Sequence, residues 1–167
     1  MADKYAELLK RFDPIAIAQY QITAKDLETI DRYIEILQAD FSPSVWQDAI
    51  RIGGEYGTSI IIHEVMQIRA LKQAGIAPLH YGVKALQDIL DKQPDAHVRA
   101  LYEEHLYLQE ILARRFGQHF QVATLVRANQ LDDTDLNRFL ESDVGIFLFE
   151  EDRVAEARQA LELLKGR

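Results

Sequence analysis

Two stretches of this chain place ionisable side chains where a purely structural helix would carry aliphatic ones: SIIIHEVMQIRAL at residues 59–71 and AHVRALYEEH at residues 96–105. At about 100° per residue, Ala100, Leu101, Leu108, Ile111 and Leu112 form one apolar stripe, with Arg99, Glu103, Glu110 and Arg114 opposite. His97 and Glu104 fall inside that stripe, and His105 lies at its margin. The first stretch is apolar around most of its circumference, which marks a central helix. Its exceptions, His63, Glu64 and Gln67, line up with Tyr56 and Ser59 as a polar strip. Burying a carboxylate is costly unless it is paired or coordinated, so Glu104 must have a partner, and a strip on one helix facing the other supplies it. Histidine and carboxylate so arranged can hold zinc or another divalent metal, or exchange protons without one.

The segment His63-Glu64-Val65-Met66-Gln67 resembles the HExxH helix of zincin metallopeptidases over this one helix. The resemblance implies that His63 is a zinc ligand and that Glu64 is the general base acting on zinc-bound water. Gln67 stands where the family has its second histidine. A four-ligand site would then be completed from the other helix by His97 together with Glu104 or His105. On this reading the protein is a metal-dependent, hydrolase-like protein. The alternative is a non-enzymatic helical interaction or regulatory protein, a homodimer among the options. In it the same side chains form a buried polar network, and a partner meets the C-terminal amphipathic helix or the VGIFLF segment.

The elements that would position these residues are signalled by caps. Asp13-Pro14 offers an N-cap followed by proline, and Thr23 with Asp26 forms a capping box opening a helix from Ala24 to about Gln38. Ser42-Pro43 opens a short helix through Trp46 and Ile50. Gly53-Gly54 breaks the pattern before a helix from about Glu55 to Ala74, capped by Gly75. Pro78 marks a loop, a helix covers roughly Gly82 to Lys92, and Pro94-Asp95 opens the longest helix, ending near Phe116-Gly117. Phe120 to Ala128 fits helix and strand equally. Thr134 to Ser142 reads as helix, Val144 to Phe149 as the one strand candidate, and about Glu151 to Lys165 as an amphipathic helix with Val154, Ala157, Leu161 and Leu164 on one side.

The pattern predicts a mainly α protein, a helical bundle with at most a short strand near Val144–Phe149, and one domain over residues 1–167. Among the 167 residues there is no cysteine, which excludes disulfides and thiolate chemistry. Twenty-seven acidic against 19 basic residues leave a formal charge of -8, with no cluster of Lys and Arg such as nucleic-acid affinity requires. The N-terminus is charged where a signal peptide would be apolar, and no run approaches the roughly 18 apolar residues of a membrane span, so a cytoplasmic protein with no membrane or nucleic-acid partner is expected. Gly53-Gly54 could cradle an anion ahead of a helix, but it lacks a P-loop lysine, so a helix-breaking turn is the expectation. Ser59 could touch His63 four residues on, although a local hydrogen bond explains it equally. His80, Tyr81 and His119 are expected in loops or at the surface.

Overall fold

The structure, a computed structural model, describes residues 3–37, 43–77, 94–143 and 149–166, together with Ala85, Asp88, Ile89 and Lys92. The protein is mainly α, and no strand occurs among the described residues. In chain order the helices are α1 (Lys4–Leu9), α2 (Pro14–Gln19), α3 (Ala24–Leu37), α4 (Pro43–Ile52), α5 (Gly54–Gln73), α6 (Pro94–Phe116), α7 (Val122–Ala128), α8 (Asp133–Glu141) and α9 (Val154–Leu164). A 3-10 turn, Glu151–Arg153, leads into α9.

Local chemistry accounts for most boundaries. The Asp13 carboxylate accepts from the Ile15 N–H ahead of Pro14, and Thr23 and Asp26 exchange side-chain to backbone bonds in both directions, so both predicted caps are formed. Gly75, at φ 82°, closes α5, with the Ile76 N–H reaching back to the Leu71 carbonyl. The glycines in the first turn of α5 serve packing: Gly54 donates its N–H to the Arg11 carbonyl, and a Cβ on Gly57 would stand 2.5 Å from the Ala49 carbonyl oxygen and 2.9 Å from the Phe12 ring. They bring α4 and the α1–α2 turn against α5.

The ambiguous stretch resolves as helix. Val122, Ala123, Thr124, Leu125, Val126 and Ala128 are all buried, so α7 is packed on nearly every side and shows neither helical nor strand periodicity. Helix α1 was not signalled by the apolar pattern; Asp3 caps it, and it contributes only partly buried residues to the core. The strand candidate at Val144–Phe149 lies outside the described residues except for Phe149, which is not in a strand. Pro78, His80 and Tyr81 lie outside them altogether, as does most of the stretch from Gly82 to Lys92, of which Ala85, Asp88, Ile89 and Lys92 are helical.

Helices α5 and α6 make the most extensive pairing among the described residues, and α4, α7, α8 and α9 pack around them. Ile61, Val65 and Ile68 of α5 and Leu101, Leu108, Ile111 and Leu112 of α6 are buried, which is the phase their periodicity required. A second apolar cluster joins Val98 and Leu101 to Val122, Ala123 and Val126 of α7 and Leu136 and Phe139 of α8. Helix α6 is therefore covered on two sides, and its buried arc is wider than one stripe.

Candidate functional site: a buried histidine–glutamate network

At the meeting of α5, α6 and α7 the apolar core gives way to a connected polar cluster. The Nδ1–H of His63 on α5 donates to Glu104 Oε1 on α6 at 2.7 Å, with both side chains buried. The other oxygen, Oε2, accepts from Asn129 Nδ2 at 3.2 Å, and the same amide nitrogen lies 3.2 Å from His105 Nε2. His105 Nδ1 faces the Leu101 carbonyl at 2.8 Å. A carbonyl only accepts, so Nδ1 carries the proton; Nε2 is then the lone-pair nitrogen that accepts from Asn129. This bonding pattern makes His105 a neutral imidazole. The carboxylate sits between two histidines of different character.

The electrostatics follow from the same contacts. Burial opposes charge on His63, but the hydrogen bond and charge of Glu104, reinforced by Glu64, outweigh it and lift His63 to about 9. Burial alone would push the Glu104 carboxyl up; the hydrogen bond and charge of His63 act against it and hold the carboxyl below the usual carboxylate range. Burial pushes His105 down and outweighs the Glu104 charge and the hydrogen bond to the Leu101 carbonyl, which act to raise it. Near neutral pH the cluster thus holds one internal ion pair, His63 with Glu104. An ion pair this deep is expensive to split, because either partner alone would be an uncompensated buried charge.

Glu64, the candidate base, is 3% exposed. Burial raises its carboxyl above the ordinary range, with the Glu104 charge adding to the rise and His63 and His97 opposing it. Gln67, which occupies the second-histidine position of the HExxH pattern, donates to the Tyr33 hydroxyl at 3.1 Å. Ser59 donates to the Tyr56 carbonyl at 2.6 Å, the local bond that explains its place on the helix. His119 is exposed, as expected.

Position on the helix wheel proved a poor guide to depth for two residues. His105, assigned to the margin of the stripe, is fully buried because α7 covers that side of α6; His97, assigned to the stripe itself, is only partly buried. The His97 ring meets the His63 ring edge-on with centroids 5.4 Å apart, and its Nε2 lies 3.5 Å from Asp135 Oδ1 of α8. All four residues marked as metal ligands, His63, His97, Glu104 and His105, therefore belong to one contiguous cluster. Among the described residues, however, no three His, Asp or Glu side chains are grouped so as to hold one ion. Glu104 and His105 already have hydrogen-bond partners at the atoms a metal would need.

Three participants escaped the sequence reading. Asn129 is the C-cap residue of α7, and its sequence signal is only that of a helix end. Asp135 belongs to the acidic first turn of α8, and Tyr33 to the buried face of α3. Each is brought in by the packing of its helix. No helix of the described residues is long and apolar enough to cross a membrane. No family profile, curated protein or solved structure matches the chain, so the site has to be read from its own chemistry.

Proposed function

We propose that the chain is a non-enzymatic helical interaction protein, working through a protein partner or a second copy of itself, with the His63–Glu104–Asn129–His105 network as a structural keystone. The observation that carries this reading is that the network is closed on itself: both oxygens of Glu104 and both ring nitrogens of His105 have protein partners. A metal-dependent hydrolase needs an ion with an open position and an ionised base within reach of its water. Here the candidate base Glu64 is enclosed, and its carboxyl is pushed toward the neutral form. A satisfied buried network specifies one packing of α5, α6 and α7, and so holds the outer faces of those helices in fixed relation. Ile15 and Leu163, 66% and 55% exposed, are where contact with a partner would be read.

One observation favours the metal-dependent, hydrolase-like reading as the second choice. Glu104 on His63 Nδ1 has the form of the carboxylate that orients a metal-bound histidine, and His97 with Asp135 extends the cluster toward solvent. In that reading His63 and His97 would hold zinc or another divalent ion, which would supply an activated water, and Glu64 would accept its proton. The third protein ligand it requires is not in place among the described residues.

Metal analysis of untagged protein, a thermal shift with added zinc, and light scattering of wild type, Ile15→Asp and Leu163→Asp separate the two. The interaction reading expects no stoichiometric metal and no stabilisation by zinc. Stoichiometric metal that is lost in His63→Ala and kept in Glu64→Gln would overturn it in favour of the hydrolase.

A further inference from the structure

We propose that the outer face of α9 is a homodimer interface, on which two copies of the chain pair their α9 helices antiparallel about a twofold axis passing between Gln159 and Ala160. Leu163 of each copy then seats on Ala155 of the other, and Arg158 of each meets the other's Glu162. This pairing rests on the interaction reading and gives it its partner, a second copy. Helix α9 has two distinct faces. Ala157, Ala160, Leu161 and Leu164 are buried against the body of the protein. Ala155, Arg158, Gln159, Glu162 and Leu163 line one shallow surface on the opposite side, with Leu163 55% exposed. Their spacing of three and four residues makes that surface a continuous stripe, the pattern by which one helix packs on another.

A second copy fits this stripe because the stripe is complementary to itself. At a rise of about 1.5 Å per residue, that axis sets Ala155 and the partner's Leu163 within about 1.5 Å of each other along the helix direction. It does the same for Arg158 and the partner's Glu162. The small residue at one end of the stripe thus receives the large one from the other copy. A twofold axis relating two antiparallel helices also keeps each flank of one beside the same flank of the other. At about 100° per residue, Arg158 and Glu162 share a flank, so opposite charges meet twice, once on each side of the axis. Gln159 lies nearest the axis, and its amide, which both donates and accepts, can bond to its own copy. Arg158 Nε donates to the Ala128 carbonyl at 3.2 Å, which anchors the guanidinium on that flank. Glu162 meets Lys165 at 3.3 Å and still has 41% of its side chain exposed. A chain of formal charge -8 repels its copy, so a flank whose own two charges cancel is where two copies approach at least cost.

Sedimentation equilibrium of the full chain tests the pairing through its charges. A single helix pair is a small interface, so wild type should dimerise with a Kd on the order of 10 to 100 μM. Arg158→Glu lines the shared flank with carboxylates alone and Glu162→Arg with guanidinium groups alone, and each should weaken the dimer about tenfold or more. An equimolar mixture of the two variants should dimerise at least as well as wild type, since every facing charge is then opposite. Leu163→Asp, at an exposed position, should weaken the dimer about tenfold, and it carries the test should a charge variant fail to fold. Ile15→Asp on α2 should leave the dimer intact. A wild type still monomeric at about 500 μM would overturn the pairing and leave the face, and the interaction reading, to a different protein. A dimer indifferent to Leu163→Asp or split by Ile15→Asp, a mixture of folded charge variants that stays monomeric, or growth beyond two chains by head-to-tail contact would also overturn it. Stoichiometric metal, by contrast, would end the interaction reading whatever the state of the dimer.

Discussion

Replacing Glu104 by glutamine removes one charge and little volume, and its effect should depend on pH in a way that isolates the ion pair. His63 is lifted from 6.5 to about 9 by its partner. At about 1.4 kcal/mol per unit, that rise corresponds to about 3 kcal/mol of differential stabilisation of the protonated form. A group raised on folding contributes stability that is fully present below its unfolded value and is lost as pH climbs through the folded one. The pair should therefore support the wild type in full near pH 6.5 and weaken toward pH 9.5. Glu104→Gln should cost on the order of 3 to 5 kcal/mol near pH 6.5, the usual result of breaking a buried pair, and its deficit should shrink by about 3 kcal/mol by pH 9.5. Urea unfolding of both proteins at pH 6.5, 8 and 9.5 measures this directly, with the slope on urea checking that both unfold from equally compact states. Parallel stability profiles, or a variant as stable as wild type at pH 6.5, would refute the assignment of His63 and Glu104 as an ion pair.

Three further expectations rest on separate parts of the molecule. Leu108→Ala removes a fully buried side chain from the α5–α6 contact and should cost about 2 to 5 kcal/mol by chemical denaturation. Gly57→Ala should destabilise by about 1 to 3 kcal/mol or more, since its Cβ would meet the Ala49 carbonyl oxygen at 2.5 Å where α4 and α5 touch; a neutral result would mean that the two helices separate easily. Glu64 is raised on folding, so its contribution is present below its ordinary value of 4.5 and lost as pH rises. Glu64→Gln escapes that loss and should gain on wild type in melting temperature from pH 5 to pH 8, and a growing deficit over that range would show that the carboxylate is stabilised by a group it binds.

How far the sequence reached can be followed residue by residue. The caps at Asp13-Pro14 and Thr23–Asp26, the break at Gly53-Gly54 and the closure at Gly75 were legible because each depends on bonds within a few residues of itself. The buried phase of α5 and α6 was legible for a related reason: an apolar stripe at helical spacing has only one direction in which to face. That Glu104 must have a partner followed from the cost of burying a lone carboxylate. Tertiary structure decided the rest. It chose His63 as that partner, put His105 deeper than His97 by laying α7 over one side of α6, and turned Gln67 toward Tyr33. It also delivered Asn129 from 24 residues along the chain to the gap between Glu104 and His105. Periodicity records that a side chain faces inward, but hydrogen-bond partners are set by which helix covers that face, and α7, apolar on nearly every side, carried no periodic signal to say where it would lie.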